Sequence, residues 1–336
     1  MKFAVLGNGS WGTALAQLLI DNGHDAILWG IDKKVNDEIN INHTNSQYFG
    51  NETKLPETLK STLDLKEALK DAIGIVIAVP TAAVRSICKQ IEPLITSKTY
   101  IISVAKGFDP ITDERMSQVI RSEIPEEKRH EVVSLIGPSH AEEVILRLLT
   151  LVTSTSLSHE DAKFVQEAFS NKYFRVYTNT DEIGAEYSVA IKNIIAIASG
   201  CLDGLGYGDN ARAALVTRGL TEMVRFGVAN GGKFETYMGL TGIGDLMVTC
   251  NSHHSRNFMA GYAIGKADSA IEFLKTNTKT VEGIRSAKTI HELNSGKLKV
   301  EMPICEAVYE VLFEGKKPST PVSYTHLRAH ETLSDL

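Results

Sequence analysis

Lys2-Phe3-Ala4-Val5-Leu6-Gly7-Asn8-Gly9-Ser10-Trp11-Gly12-Thr13-Ala14-Leu15-Ala16 follows the first methionine, and the order of residue types in it decides the fold. Lys2–Leu6 is short and β-prone, Gly7, Gly9 and Gly12 form a turn, and Thr13–Asn22 carries Ala14, Leu15, Leu18 and Leu19 at helical spacing. Ala26–Trp29 is then β-prone again. The pattern G-x-G-x-x-G between a strand and a helix suits a tight turn that a pyrophosphate can approach and that a helix N-terminus backs with N–H groups and a positive dipole end. A glycine-rich turn of no special purpose is the bland alternative. The β-turn-α-β context and Asp32, twenty residues past Gly12, favour dinucleotide binding. Asp32 would bond a ribose 2′-hydroxyl, as NAD requires. Lys33 and Lys34 would either neutralise the 2′-phosphate of NADP or stand solvated in a first helical turn.

The alternation continues outward from this stretch. Ile73–Val79 is an apolar run ending at Pro80, and Tyr100–Val104 and Val132–Ile136 are two more, with helix-like stretches between them. Such runs read as buried parallel strands. Leu149–Thr153 and Phe174–Tyr177 are weaker strands around a helix-like segment that Ser158 caps and that runs to Phe169. From Gly184 the texture changes to long helical patterns, Ala185–Ala198, Arg212–Ala229 and Thr280–Leu293. The expectation is an α/β chain with a mostly parallel N-terminal sheet over residues 1–180 and an all-helical domain over 181–321. Residues 322–336 have no clear period and read as a frayed tail or a non-native scar.

The bulk properties agree with two globular domains: 336 residues, 43% of them hydrophobic and 23% charged. With 35 Lys and Arg against 41 Asp and Glu, the net charge of −6 gives no field that would favour nucleic acid. Cys88, Cys201, Cys250 and Cys305 lie far apart with no C-x-x-C pair, which suits a reducing cytoplasm. Gly7, Gly9 and Gly12 interrupt any signal-peptide core. Val144–Val152 contains Arg147 and is far shorter than the roughly 20 residues of a membrane helix, so no integral membrane segment is expected.

Residues just after parallel strands carry the most chemical weight, because ligands lie outside the carboxyl ends of such strands. Lys106-Gly107 follows one strand, and Gly137-Pro138-Ser139-His140 follows another. Lys106 would hold a substrate oxyanion or be a plain surface lysine. Ser139-x-x-Glu142 also fits a capping box that starts a helix. Lys192 interrupts the apolar helical stretch Val189–Ala198. Spacing alone favours snorkelling, whereas burial would lower its pKa towards the range a general acid or base needs. Asp245 sits in a glycine-flanked turn with Thr249 on the same helical face, either as a helix cap or as a site carboxylate. Ser255-Arg256-Asn257 groups a hydroxyl, a guanidinium and an amide suited to phosphate. His253-His254 cannot converge on one ion and has no third ligand, so no metal is expected.

In this order, GNGSWGTALA (Gly7–Ala16), SVAKG (Ser103–Gly107), GPSHAEE (Gly137–Glu143), AIKNIIAIASGCLDGLGYGDNARAAL (Ala190–Leu215), GLTGIGDLMVTC (Gly239–Cys250), SRN (Ser255–Asn257), VEG (Val281–Gly283) and EMPI (Glu301–Ile304) closely resemble the bacterial-type NAD(P)-dependent glycerol-3-phosphate dehydrogenase family. The resemblance covers Met1 to about Lys317. It implies a Rossmann-type domain followed by a helical domain, a homodimer, and reversible reduction of dihydroxyacetone phosphate to sn-glycerol 3-phosphate, which supplies the backbone of membrane phospholipids. It further implies that Lys192 is the proton donor and acceptor, with Lys106, Asp245 and Thr249 beside the reaction. Gly7, Gly9, Ser10, Trp11, Gly12, Asp32, Lys33, Lys106, Ala141, Arg256, Thr280 and Glu282 would contact NAD or NADP. Lys106, Gly137, Ser139, Lys192, Asn193, Asp245, Ser255, Arg256 and Asn257 would contact the substrate.

This chain departs from the family's usual pattern at three positions. Leu149 stands where proline is common, Thr280 where valine is frequent, and Ile31 where a polar or basic residue often lies near the adenosine ribose, which leaves NAD and NADP both open. Two other readings remain at this level. A dehydrogenase for a 3-hydroxy acid or a ketopantoate-like substrate would not need the phosphate-suited Ser255-Arg256-Asn257. A cofactor-sensing module would not need Lys106, Lys192, Asp245 and Arg256 together.

Overall fold

A computed structural model describes residues 1–320, so the tail expected at 322–336 lies outside the described residues. The chain divides into two compact units, residues 1–105 with 114–182, and residues 106–113 with those from 183 onward.

The first unit is built on eight strands: Lys2–Leu6 (β1), Asp25–Trp29 (β2), Lys60–Thr62 (β3), Gly74–Ile77 (β4), Tyr100–Ser103 (β5), Val133–Ile136 (β6), Thr150–Thr155 (β7) and Phe174–Asn179 (β8). They form one sheet in the order β3-β2-β1-β4-β5-β6-β7-β8. Every pair is parallel except β6 with β7, so β7 and β8 run against the other six. The parallel reading of the apolar runs therefore holds for β4, β5 and β6, and the sheet is mostly parallel as expected. Residues 137–149 join β6 to β7, and their one helix, Ala141–Val144, has four residues. β3, three residues long, is too short to show a period in the sequence.

Alternation along each strand sends side chains to opposite faces. Phe3 and Val5 of β1 join one core with Leu15, Leu18 and Leu19 of helix Ser10–Asp21 (α1), and Ala4 and Leu6 join another with Val84, Ile87 and Ile91. Helix Lys33–Asn42 (α2) follows β2, and helix His159–Phe169 (α3) lies between β7 and β8, where Ser158 Oγ accepts the Asp161 N–H as expected of its cap.

The second unit is helical. Its main elements are Glu182–Gly204 (α4), Asp209–Ala229 (α5), Asp245–Cys250 (α6), Arg256–Ala267 (α7), Glu282–Leu293 (α8) and Pro303–Phe313 (α9). α4 and α7 meet backbone to backbone. A Cβ on Gly200 would run into the Phe258 carbonyl, and one on Gly261 would run into that of Ile197. Contacts rise together along both helices, 197 against 261 and 201 against 265, so the pair is parallel and the start of α7 lies beside the middle of α4. Among the described residues no helix is long and apolar enough to cross a membrane.

Glu222 of α5 is 1% exposed, and its carboxylate oxygens accept the Ile304 N–H at 2.6 Å and the Cys305 N–H at 3.0 Å at the start of α9. Burial pushes its carboxyl up to about 7, against the opposing pull of those N–H groups. A carboxyl raised above its ordinary value near 4.5 costs stability once the unfolded chain ionises, so the penalty grows as pH rises and is complete above about 7. Wild-type stability measured against Glu222→Gln should therefore fall by on the order of 2 kcal/mol between about pH 5 and pH 8. Urea unfolding of both proteins at the two pH values checks this, and a constant difference would refute it.

Candidate active site

β1 lies between β2 and β4, where the strand order reverses, and the glycine turn follows it. Open α/β sheets bind ligands at this switch point. Gly7 has φ +120° and donates its N–H to Trp29 O at 2.8 Å, and a Cβ there would lie 2.6 Å from the Ala78 carbonyl oxygen. A Cβ on Gly12 would collide with the Gly7 carbonyl, whereas one on Gly9 would find nothing nearer than Tyr48 Oη at 3.8 Å. Packing thus requires Gly7 and Gly12, and Gly9 leaves the backbone approachable. α1 begins at Ser10 with no side-chain cap, so its first N–H groups remain for a ligand. Trp11, its second residue, buries an indole N–H that has no hydrogen-bond partner among the described residues. Such a donor costs about 1–3 kcal/mol unless an acceptor meets it. The turn therefore fits a dinucleotide's pyrophosphate by backbone shape and by this unmet donor.

An asparagine network that sequence reasoning missed holds the turn. Asn8 Nδ2 donates to Asn36 Oδ1 at 3.0 Å, and Asn36 Nδ2 donates to Gly30 O at 3.0 Å. Asn45 Nδ2 donates to both Asn8 O and Thr13 Oγ1 at 3.0 Å. Nothing in the sequence distinguishes these asparagines from the solvated ones around them. Asp32 caps α2 by accepting the Lys34 N–H at 2.8 Å, and Lys33 pairs with Asp37 at 2.5 Å on the exposed face. Gly137 follows β6, and buried Ala141 opens the short helix. The capping box expected at Ser139 does not form: His140 is the N-cap, and Ser139 Oγ donates instead to Gly137 O at 3.1 Å. That local bond takes the hydroxyl back along the chain, away from the helix it would cap.

In the helical unit Lys192 does not snorkel. Its side chain is 4% exposed, and its Nζ lies 2.5 Å from Asp245 Oδ1, whose own side chain is 1% exposed. Apolar α4 leaves the ammonium no route to water, so a carboxylate must meet it. Nζ also donates to Thr249 Oγ1 at 3.0 Å, and Thr249 in turn donates to Asp245 O at 2.6 Å. Asp245 and Thr249, one turn apart on α6, thus grip the amine from one side. Asp245 is the first residue of α6 but caps nothing with its side chain. Its Oδ2 accepts no hydrogen bond, and Lys106 Nζ lies 3.7 Å from it. Burial pulls Lys192 down to about 8; the Asp245 charge opposes that shift and the Lys106 charge adds to it. An amine titrating there can both give and take a proton near neutral pH.

The parallel contact of α4 with α7 brings Asn193 to Asn257. Asn257 Nδ2 donates to Asn193 Oδ1 at 2.9 Å, and Asn257 Oδ1 accepts the Gly283 N–H at 2.9 Å. Asn257 therefore ties α4, α7 and α8 together and keeps one amide hydrogen for a ligand. Ser255 caps α7 by accepting the Phe258 N–H, and exposed Arg256 is the helix's first residue. A guanidinium at a helix N-terminus suits a phosphate. Glu282 begins α8, and Thr280 precedes it, exposed. Among the described residues no group of three or more His, Cys, Asp or Glu is arranged to hold a metal ion.

Comparison with known proteins matches the same two halves. Residues 2–162 match the NAD-dependent glycerol-3-phosphate dehydrogenase N-terminus, and residues 181–323 match the C-terminus of that family. A glycerol-3-phosphate dehydrogenase [NAD(P)+] of Bacillus pumilus is 51% identical over 100% of this chain and 97% of its own length, and one of Streptococcus uberis is 50% identical over 94% and 92%. The solved glycerol-3-phosphate dehydrogenase of Coxiella burnetii is 38% identical, with a TM-score of 0.89 over 97% of this chain and 99% of that one. A glycine turn fit for a dinucleotide, a buried lysine poised to exchange a proton and whole-length similarity of this degree lead to one conclusion: this chain belongs to the NAD-dependent glycerol-3-phosphate dehydrogenase family.

Proposed function

We propose that the chain interconverts dihydroxyacetone phosphate and sn-glycerol 3-phosphate with NAD or NADP, as a cytoplasmic homodimer that supplies glycerol 3-phosphate for phospholipid synthesis. The observation that carries the reading is Lys192, buried at 2.5 Å from Asp245 and within hydrogen-bond reach of Thr249, where burial pulls its amine below the ordinary lysine value. Bound nicotinamide supplies the hydride for the ketone and takes it back from the secondary alcohol. Gly7, Gly9 and Gly12 with the N–H groups of Ser10 and Trp11 take the pyrophosphate, and Asp32 and Lys33 serve the adenosine ribose. Ala141, Arg256, Thr280 and Glu282 are the further cofactor contacts.

Lys192 Nζ gives its proton to the substrate oxygen in reduction and removes it in oxidation. Asp245 and Thr249 fix where that nitrogen points, and the Lys106 ammonium stabilises the charge that builds on the oxygen. Arg256, with Ser255 and the remaining Asn257 amide hydrogen, clamps the phosphate, so binding energy far from the carbonyl aligns it. Gly137, Ser139 and Asn193 complete the substrate contacts.

The first test is loss of absorbance at about 340 nm with dihydroxyacetone phosphate, run with NADH and with NADPH, with unphosphorylated dihydroxyacetone as the control. Turnover that depends on the phosphate is expected, and cofactor binding without turnover would overturn the reading. Lys192→Ala should lower kcat by about 10²–10⁴-fold while a cofactor titration stays unchanged. In the wild type, kcat/KM for oxidation should rise with pH through about 8, because the base must be neutral, and that for reduction should fall above it. With cofactor held saturating, Arg256→Ala should cost about 10–100-fold in kcat/KM for the phosphorylated ketone and far less for dihydroxyacetone.

A further inference from the structure

Lys106 stands at the head of Lys106-Gly107-Phe108-Asp109-Pro110-Ile111-Thr112-Asp113, a segment that follows β5 in sequence yet packs as part of the helical unit. Two attachments hold it there. Phe108 is 1% exposed and lies in the helical core with Ala190 and Ile194 of α4, its ring 6.0 Å from that of Tyr187. At the other end Asp113 Oδ1 accepts a 2.6 Å hydrogen bond from Thr289 Oγ1 of α8, and Thr289 is 2% exposed.

Between the attachments the segment is stiffened from within. Asp109 Oδ2 accepts from Thr112 N at 3.1 Å and from Thr112 Oγ1 at 2.9 Å, and Asp113 N donates to Asp109 O at 3.1 Å. Asp113 takes φ +56°, a left-handed conformation that aspartate adopts more readily than most residues.

We propose that Asp113 and Thr289 are positioning residues for the reaction: their hydrogen bond pins the far end of the Lys106 segment to α8 and so keeps the Lys106 ammonium beside Asp245. The assignment rests on the functional reading above, and its role is to hold Lys106 within reach of the proton-transferring pair. Lys106 is otherwise a flexible side chain, 23% exposed and 3.7 Å from its carboxylate, with no side-chain hydrogen bond among the described residues to fix it there. A stiff backbone under it decides how often the charge is in place.

The groups facing Lys192 set the readout. Asp245 and Cys250 of α6 favour its charged form, Lys106 disfavours it, and Thr249 accepts its hydrogen bond. Releasing Lys106 removes a repulsion, so Lys192 should titrate higher.

The test compares Thr289→Val, Thr289→Ser and Asp113→Ala with the wild type in the full chain. Thr289→Val keeps the side-chain shape and removes the donor, and Asp113→Ala breaks the same bond from outside the helix if Thr289→Val folds poorly. Both should lower kcat by about tenfold or more, and both should move the pH midpoint of glycerol 3-phosphate oxidation upward. Thr289→Ser should restore kcat and midpoint together, which a merely structural role would not require. Acetylation of Lys106 by acetic anhydride, followed by mass spectrometry against exposed Lys33, should become several-fold faster in Thr289→Val and Asp113→Ala. Unchanged Lys106 labelling with an unchanged pH midpoint would overturn the proposal. A wild type inactive on dihydroxyacetone phosphate would strike the functional reading alone, because the labelling still reports whether the bond holds Lys106.

Discussion

Lys192 and Asp245 face each other at 2.5 Å, almost wholly out of water, and much of the helical unit is arranged around that fact. Taking two ions out of water costs several kcal/mol each, and a pair survives only with close geometry and further hydrogen bonds. Thr249 supplies one such bond to the amine, and Lys106 lends a second positive charge to the carboxylate. Removing either partner would strand a buried charge at about 3–5 kcal/mol. The same burial that makes the pair costly brings the amine to a useful pKa: Asp245 limits the fall that desolvation imposes, so Lys192 stops near 8.

The packing of α4 against α7 serves this pair. Glycines at 200 and 204 on one helix and at 261 and 265 on the other let the backbones touch, which fixes the register tightly because no side chain can slide between them. That register puts Asn257 on Asn193, the residue after Lys192, and Gly283 on Asn257, so the first turns of α7 and α8 converge on α4 at Asn193. Arg256 and Glu282, first residues of those two helices, are placed by the same contact. The first unit achieves a comparable rigidity differently. Gly7 and Gly12 pack where no Cβ fits, and Asn8, Asn36 and Asn45 bind backbone carbonyls and one another around the turn.

Much of this was legible in the chain's order of residues, and the failures share a cause. β1, α1 and the glycine turn are local: a strand, a turn and a helix whose signals lie within about twenty residues and whose packing follows from their own periods. The missing capping box at Ser139 and the buried state of Lys192 depend on partners the local pattern does not show: the Gly137 carbonyl and the Asp245 carboxylate. Asp113 with Thr289 and the asparagine network were silent for the same reason, since polar residues with distant partners look like solvated ones in sequence.

The sequence by itself determined the alternation of strands and helices, the change of texture near Gly184, the dinucleotide turn and, through its ordered motifs, the family. Those features are written in composition, period and short spacing, which survive without knowing which residues touch. Only the tertiary structure decided that Lys192 is paired and not snorkelling, that Asn257 spends most of its hydrogen-bonding capacity on its neighbours, and that the Lys106 segment belongs to the helical unit. Charge state and pairing depend on desolvation and on partners 53 and more residues away in sequence, such as Asp245 for Lys192, and no local pattern encodes them.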